Sequence, residues 1–462
     1  MPQMLRRLRQ MTWTEIAYRG RQQASKWIDR VHSTSRSRSG HERLRLHELT
    51  EAATIQARER FRSLAPARFF AGASEPDLAA LLGERLPAVR DEIVGRADRV
   101  AAGAFDLLGY RGLSFGDPVD WHLDPVAGRR SPFVHWSAID PLDADAVGDS
   151  KVIWELNRHQ WLVTLAQAYR LTGREHDLIR AGTLFDSWLA ANPPGIGINW
   201  ASSLEVSLRL MAWCWTAILL KDTEWLNASR FAEFVQAIDD HARHIERYLS
   251  YYFSPNTHLT GEALGLFHAG VLFSDLRGAE RWRTLGRQIL ISEARRQILD
   301  DGVYAEQASG YHCYTIEIYL HFLMLSDRCR IDVPPYIRTR VERMFDFLLT
   351  VCRDDGTIPA IGDSDGGQLL RLTGRRAGDC RGLMALGAAC FGRSDLSSRA
   401  GTSWLLWRIV SRRGGPKPKP PRGSHGIVAR TGAEERLARV SGRTTPAVGG
   451  DRSAAVGHVR PP

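Results

Sequence analysis

The chain has 462 residues, of which 44% are hydrophobic and 25% charged, the proportions of a globular protein with room for two or three domains. Ordinary glycine and proline contents exclude a collagen-like or wholly disordered chain, and no run of eighteen apolar residues predicts a membrane-spanning helix. The formal charge of +10 is concentrated at the ends. Residues 1–45 hold eleven Lys/Arg against three acidic residues and residues 414–462 hold nine against three, which leaves the body between them at −4.

The basic ends bear on partners and location. Such segments can bind nucleic acid or an anionic membrane, but solvated termini are the favoured interpretation and no nucleic-acid partner is expected. An acidic polysaccharide would be attracted by the same field. The first 27 residues are basic without a continuous apolar segment, so no secretion signal is recognisable. Cytoplasmic location is the default expectation, with the periplasm as the alternative; the oligomeric state is open.

The first two regions precede the regularly patterned part of the chain. Residues 1–45 predict an amphipathic helix followed by a Ser/Arg-rich stretch. Residues 46–150 form a second region, in which one or two helices, for example Asp77 to Ala101, precede a long loop over residues 116–150. That loop is rich in Asp, Pro and Gly and lacks any regular period.

From Lys151 to residue 412, apolar residues recur at intervals of three and four, which predicts successive amphipathic helices. These cover residues 152–171, 176–191, 200–220, 228–252, 258–275, 279–300, 311–328 and 334–352. Strand patterning is almost absent before Thr357–Ile361, so the predicted fold class is all-α: an incomplete (α/α) toroid of helical hairpins forming the catalytic domain. An open helical solenoid is the competitor, but no fixed internal period supports it.

Residues 413–462 and the cysteines complete this organisation. GGPKPKPPRGS is typical of a stiff, solvated linker, and the residues after it cannot bury a core, so a disordered basic tail is predicted. The six cysteines contain no C-x-x-C pair, which favours reduced, buried thiols over a zinc site or a disulfide framework.

Polar residues gather where the predicted helices begin. SPNTHLTGEALGL places Asn256 and His258 on a turn entering a helix, where Asn256 or Thr257 could serve as a cap. The plain interpretation is a helix cap with a surface histidine. DGVYAEQASGYHCYTIEIYLHF sets Tyr304, Glu306 and Tyr311 around another helix start. Tyrosine packs against sugar rings and can transfer protons, although an aromatic core whose hydroxyls reach water is equally consistent.

Three further segments carry polar or aromatic clusters. WELNRHQW contains Arg158 and His159, and GINWASSLEVSLRLMAWCW contains Trp200, Glu205 and Arg209. Arginine suits a carboxylate or sulfate and tryptophan suits a sugar face, whereas a buried pair of Glu205 with Arg209 is the plain alternative. AIGDSDGG resembles a calcium loop but lacks its later glutamate, so no metal is predicted there. Nucleotide-binding, zinc-protease and serine-hydrolase motifs are absent from the sequence.

Taken in order, WELNRHQW, NWASSLEVSLR, SPNTHLTGEALGL, DGVYAEQASGYHCYT and IGDSDGG resemble the heparinase II/III group of polysaccharide lyases. The resemblance is to the amino-terminal α/α-toroid domain of that group and covers roughly residues 50–412. The opening MTWTEIAYRGRQ is similar to bacterial members associated with polysaccharide gene clusters.

The resemblance implies β-elimination at a uronic acid, in which a proton leaves C5 and a glycosidic oxygen leaves C4. By resemblance, the amide of Asn256 neutralises the sugar carboxylate, His258 assists or positions, and Tyr311 acts as base, acid or both. The expected substrate-binding residues are Arg158, His159, Trp200, Arg209 and Glu306. No cofactor and no metal are expected.

Members of the group continue into a β-sandwich with a His-rich motif that supplies a further catalytic histidine. The tail here lacks alternating strands, and neither His425 nor His458 lies in a matching motif. The expectation is a chain without that domain, through truncation or a frameshift near Arg413, and therefore with impaired catalysis.

The predicted function is that of a bacterial polysaccharide lyase acting on an acidic, uronic-acid-containing polysaccharide, of glycosaminoglycan, alginate or bacterial exopolysaccharide type. One alternative is a non-catalytic or degenerate protein that binds acidic carbohydrate. Another is a glycoside hydrolase on the same toroid, which would need two opposed carboxylates, for which Glu205, Glu306 and Asp363 are candidates.

Overall fold

The structure is a computed structural model that describes residues 11–36 and 51–401, apart from the single positions 71, 74, 365, 367, 375 and 377. Residues 37–45 and the predicted tail 413–462, with His425 and His458, lie outside the described residues. The boundaries predicted at these places therefore stay predictions.

Helices dominate the described residues, and they are numbered here in chain order. They are α1 Trp13–Arg36, α2 Glu51–Arg68, α3 Pro76–Arg85, α4 Pro87–Ala101, α5 Ala144–Val147, α6 Ser150–Asn157, α7 Gln160–Thr172, α8 Glu175–Ala191, α9 Ser203–Leu219, α10 Ala228–Arg247, α11 Thr257–Leu272, α12 Ala279–Gln297, α13 Ser309–Cys329, α14 Pro335–Val351, α15 Arg381–Phe391 and α16 Ser394–Arg399. Short 3₁₀ helices cover Trp136–Ala138, Ile198–Trp200 and Glu224–Leu226. Two antiparallel pairs, β1 Phe105–Leu107 with β2 Tyr110–Leu113 and β3 Leu123–Asp124 with β4 Arg129–Arg130, interrupt the segment before α5.

Four helical hairpins, α7/α8, α9/α10, α11/α12 and α13/α14, follow one another along the chain. Their first members pack side by side, α7 on α9, α9 on α11 and α11 on α13, while each second member covers its own partner. Almost every residue of α9 and α11 is buried, as expected for helices that are apolar all round and enclosed by others. The prediction of an all-α toroid of stacked hairpins is confirmed.

The segment after α14 connects the last inner helix to the first. The side chain of Gln160, at the start of α7, accepts the Arg371 N–H at 2.5 Å and faces the carbonyls of Gln368 and Leu369. Gln167, two turns further along α7, donates to the Leu372 carbonyl at 3.1 Å. The Leu369 N–H also donates to the Glu317 carboxylate of α13 at 3.3 Å. Residues 368–372 therefore contact both α7 and α13.

Glycines allow neighbouring helices to approach closely, both between two inner helices and between an inner and an outer helix. A Cβ added to Gly265 of α11 would lie 2.0 Å from the Ser207 hydroxyl of α9, and one added to Gly286 of α12 would lie 2.4 Å from the Ala263 carbonyl. Real Cβ atoms do not approach other atoms so closely, so these helices can pack at this distance only without a side chain there.

Three predicted elements were wrong in detail. The predicted helix 152–171 is broken at His159, which adopts a left-handed conformation with φ of 59°. The helix proposed from Asp77 to Ala101 is divided at Leu86, because Pro87 lacks the N–H that a continuous helix would use. The strand pattern at Thr357–Ile361 produces only an isolated bridge between Thr357 and Asp379.

The remaining expectations concern membranes and cysteines. Among the described residues, no helix has both the length and the apolar character that a bilayer crossing requires. All six cysteines lie in described segments and are free thiols, but only Cys214 and Cys380 are buried as predicted, and the other four are half-buried. The sulfur atoms of Cys352 and Cys380 are 3.1 Å apart.

Candidate active site at the starts of the inner helices

Asn256 is the N-cap of α11 and its side chain has a defined orientation. Its Oδ1 accepts the backbone N–H of His258 at 3.1 Å, and its Nδ2 donates to the Glu306 carboxylate at 2.6 Å. Because an N–H can only donate and a carboxylate only accept, these two partners determine which end of the amide is oxygen. The amide N–H₂ group is thereby presented towards Glu306, and Asn256 and His258 are both partly exposed.

The turn that carries Asn256 rests on the end of α12. Gln297 donates through its side-chain nitrogen to the carbonyls of Pro255 at 3.2 Å and Asn256 at 3.3 Å. The buried hydroxyl of Tyr304 donates to the side-chain oxygen of Gln297 at 3.3 Å. Burial, and after it the neighbouring Glu306 carboxylate, raises the pKa of Tyr304 well above its usual value. Tyr304 is therefore a protonated, structural donor beneath the turn.

Tyr311 lies in the first turn of α13 and is also partly exposed. Its hydroxyl donates to the carboxylate of Asp363 at 3.1 Å. Asp363 is held near this helix because Ser309 donates through its N–H to the Ile361 carbonyl at 2.9 Å and through its hydroxyl to the Pro359 carbonyl at 2.7 Å. Gly362, with φ of 70°, passes within contact distance of Ala308, an approach that a side chain would prevent.

We call Asn256, Glu306, Tyr311 and Asp363 the polar rim. The segment from Tyr304 to Tyr311 joins its two halves, since Glu306 contacts the start of α11 while Tyr311 begins α13 and contacts Asp363. Between them Gln307 adopts a left-handed conformation with φ of 55°, which is costly for a residue other than glycine and concentrates at functional sites. The rim therefore brings together an amide and a phenol at the starts of two neighbouring inner helices, with two exposed carboxylates from the loops beside them.

The other four predicted substrate-binding residues lie together, but beneath the surface. Arg158 is buried and binds both oxygens of Glu205, at 2.6 and 2.8 Å, and one oxygen of Glu155 at 2.5 Å. Burial opposes its charge, but the two carboxylates outweigh that effect and raise the pKa of Arg158 well above its usual range. Glu205 thus pairs with Arg158 and not with Arg209, which corrects the pair considered from the sequence.

Arg209 has the opposite kind of environment. Its guanidinium is fully buried and donates to the carbonyls of Asn157 and Asn199, each at 3.0 Å, and to the His241 ring at 2.9 Å. It also lies over the ring of Trp188 at 4.6 Å, an attractive geometry for a cation. Burial lowers its pKa to about 9.

His159 and Trp200 belong to the same cluster. His159 is fully buried, accepts the indole N–H of Trp213 at 2.8 Å and has a pKa held well below its usual value by burial and by Arg209. Trp200 is buried beside the His241 ring at 4.6 Å. We call Arg158, His159, Trp200 and Arg209, with their partners, the buried cluster. Contact of these side chains with substrate is untested, and their burial favours a supporting role for them.

The sequence did not predict two contacts of the site: the support of the Asn256 turn by Gln297 and the hydrogen bond from Tyr311 to Asp363. Gln297 ends an outer helix 41 residues from Asn256, and no local pattern marks it. Asp363 was considered in a weak calcium-like loop and as a candidate carboxylate for hydrolysis, but its contact with Tyr311, which spans 52 residues, was not predicted. Asp365 of that loop lies outside the described residues. Within the part of the chain that the structure covers, no group of three or more His, Cys, Asp or Glu could hold a metal ion.

An inner row of buried helices, with polar side chains gathered at the starts of α11 and α13, places the chain among the α/α-toroid proteins. The family model for the heparinase II/III N-terminus matches residues 87–373, which is more than half of the chain. The chain therefore belongs to the heparinase II/III family through its N-terminal domain.

Relatives and solved structures agree with this assignment. The heparin-sulfate lyase of Pedobacter heparinus is 25% identical over 264 residues, which are 55% of this chain and 36% of that protein. The heparin-sulfate lyase of Bacteroides stercoris is 25% identical over 284 residues, 56% of this chain and 39% of that protein. The crystal structure of heparan sulfate lyase from Pedobacter heparinus aligns with a TM-score of 0.52 and 20% identity, over 79% of this chain and 52% of that one. The sequence matches thus cover 36% and 39% of the two curated relatives, and the structural likeness establishes the fold.

Proposed function

We propose that the protein is a polysaccharide lyase that cleaves a uronic-acid-containing polysaccharide by β-elimination. The family and its heparin-sulfate lyase relatives support this reaction class. The observation that carries the proposal is that Asn256 and Tyr311 are both partly exposed at the starts of adjacent inner helices. Glu306, which accepts from the Asn256 amide, lies five residues before Tyr311 in the chain.

The amide of Asn256 has the chemistry that the first step needs. Removing the proton from C5 leaves negative charge delocalised into the neighbouring carboxylate, which would then carry two charges. An amide N–H₂ held close to that carboxylate stabilises the developing charge and lowers the barrier. The backbone N–H of His258 and the carboxylate of Glu306 hold Asn256 in the required orientation before substrate arrives, so little reorganisation accompanies the reaction.

The phenol of Tyr311 supplies the proton transfer. As a phenolate, Tyr311 would accept the C5 proton. As the C4–O bond breaks and the C4–C5 double bond forms, the resulting phenol would donate that proton to the leaving oxygen. Asp363 accepts the phenol hydrogen in the absence of substrate and therefore holds the ring in place.

The buried cluster supports the same site from below. Glu205 lies in the first turn of α9, and Arg158 directly follows the last residue of α6. Their ion pair therefore joins the start of α9 to the end of α6. On α13, Tyr314 follows Tyr311 by one turn and contributes to the electrostatic environment of Arg158. The buried cluster thus lies next to the helix that carries the phenol.

One observation favours a second candidate. Glu306 and Asp363 are both exposed carboxylates on the rim, and hydrolysis of a glycosidic bond uses two such groups. Elimination is preferred because each carboxylate is engaged by the amide or by the phenol. A groove that binds acidic carbohydrate without turnover is the third possibility.

The test is incubation of the full chain with glycosaminoglycans, alginate and bacterial uronate polymers. Elimination produces a conjugated 4,5-unsaturated uronate, detected by ultraviolet absorbance and by mass. Tyr311→Phe should reduce the rate by about 10²- to 10⁴-fold while leaving the circular dichroism spectrum unchanged, since the ring still packs. Reducing ends without unsaturation would select hydrolysis instead, and retained affinity with neither product would select a binding protein.

A further inference from the structure

Helix α1 attaches to the rest of the protein through polar contacts. The Tyr18 hydroxyl and the Gln22 amide donate to the Leu249 carbonyl at 3.0 and 3.1 Å. Asp29 accepts from the Arg247 guanidinium and from the Tyr248 hydroxyl, each at 2.6 Å. These contacts fix which face of α1 is turned towards the 247–252 loop.

Four large apolar residues of α1 are consequently turned towards solvent. Trp13 and Trp27 are 86% and 68% exposed, and Ile28 and Val31 are 46% and 48% exposed. Ala17, Gly20 and Ala24, which lie between them along the helix, are exposed as well. At 3.6 residues per turn, all seven fall within an arc of about 100°. Solvent-facing helices normally show the reverse arrangement, with the polar face outside.

Charge accompanies this apolar stripe. Arg21 and Arg30 are exposed and lie on opposite sides of it. The first 45 residues contain eleven Lys/Arg against three acidic residues. A helix with tryptophans near both ends of an apolar stripe and basic residues beside it matches the helices that lie in the plane of a membrane interface.

We propose that α1 is an interfacial helix that binds the surface of an anionic lipid bilayer, inserting Trp13, Trp27, Ile28 and Val31 between headgroups. Burial of the apolar stripe and attraction of the basic residues to anionic headgroups act together. Nucleic acid is a poorer partner, because phosphate contacts would leave the apolar stripe in water. This inference does not depend on the lyase reaction.

Membrane binding would also have a consequence for the candidate site. The loop that α1 holds at Leu249 and Tyr252 continues directly to Asn256. Docking would therefore place the polar rim near the bilayer surface, where a polysaccharide anchored in or leaving the membrane is accessible. This consequence alone depends on the proposed function.

Vesicle sedimentation with the full chain tests the proposal. Vesicles of phosphatidylcholine alone are compared with vesicles that contain about 30% phosphatidylglycerol, at about 0.1 M salt. The protein should sediment with the anionic vesicles, and Trp13→Ala combined with Trp27→Ala should weaken binding by at least about tenfold. Ile179→Ala, at a residue 68% exposed on α8, is the matched control and should bind like the wild type.

A second variant and the contrary outcomes complete the test. Arg21→Gln with Arg30→Gln should weaken binding to anionic vesicles and reduce its dependence on salt. Failure to sediment with either vesicle, or unchanged binding of the double tryptophan variant with an intact circular dichroism spectrum, would overturn the proposal. So would light scattering that shows a dimer abolished by the tryptophan changes, because the stripe would then bind a second copy. Retention on duplex DNA in place of vesicles would assign the surface to nucleic acid.

Discussion

The buried cluster and the polar rim are both networks of hydrogen-bonded polar side chains, yet they differ in their exposure to solvent. In the buried cluster every polar group of Arg158 and Arg209 meets a protein partner, and protein encloses the side chains. In the rim, Asn256 and Tyr311 are each held by a carboxylate but remain partly exposed to solvent. Groups of the first kind support the fold through these partners, whereas groups of the second kind can exchange their partners for a substrate. Changes in the cluster should therefore affect stability, and changes in the rim should affect activity.

The largest effect is expected at Arg158. Arg158→Met would leave the Glu155 and Glu205 carboxylates buried without their cation, which costs about 3–5 kcal/mol of unfolding free energy. Urea denaturation followed by circular dichroism measures this loss. Arg90→Met removes an exposed pair with Asp91 and should cost less than about 1 kcal/mol. Equal midpoints for the wild type and Arg158→Met would contradict the assignment of the cluster to stability.

The next largest effect is expected from acid, which should lower the free energy of unfolding. Burial lowers the pKa of His268 and of His312 to about 4. Below about pH 6.5 the unfolded chain takes up these protons while the folded chain does not. The free energy of unfolding is therefore highest above pH 6.5 and decreases as the pH falls towards 4. Each histidine contributes a slope of about 1.4 kcal/mol per pH unit in that window.

Unfolding free energies measured between pH 7.5 and about 5 test this slope. His268→Phe keeps an aromatic ring beside Phe70 but cannot titrate, so its stability should fall less steeply with acid. Parallel pH curves for this variant and the wild type would refute the assignment.

A smaller effect, on catalysis alone, is expected at Asp363. Asp363→Asn can still accept the Tyr311 hydrogen but loses the charge, and charge-assisted hydrogen bonds are about twice as strong as neutral ones. We expect kcat to fall about tenfold with unchanged stability. KM should stay nearly unchanged, because Asp363 acts through its contact with Tyr311. An unchanged kcat for this variant would contradict that role.

The smallest effect is expected at Glu306. Glu306→Gln keeps an oxygen that can accept the Asn256 amide but removes a negative charge facing an acidic substrate. We expect kcat within about threefold of the wild type and a KM lowered by about two- to threefold. Glu306→Ala, which lacks the acceptor, should lower kcat more strongly. Identical kinetics for the two variants would show that Glu306 does not orient Asn256.

Much of the fold was predictable because the helices repeat a simple pattern. Apolar spacing located α8 to α14 within a few residues, and residue types limited the cap of α11 to Asn256 or Thr257, of which the structure has Asn256. The break at His159 was not predictable, since a left-handed histidine is stabilised by partners such as Trp213 that are distant in the sequence. The outward orientation of the apolar residues of α1 was not predictable either, because an amphipathic pattern does not show which face of a helix packs against the rest of the protein.

The sequence by itself determined an all-α chain of hairpins and placed an amide and a phenol at the starts of two of its helices, because periodicity and capping are local properties. Only the tertiary structure decided that Arg158 and Arg209 are enclosed while Asn256 and Tyr311 reach solvent. It alone paired Tyr311 with Asp363 and Asn256 with Glu306, across 52 and 50 residues. Burial and long-range pairing depend on how helices assemble, and no spacing within one helix contains that information.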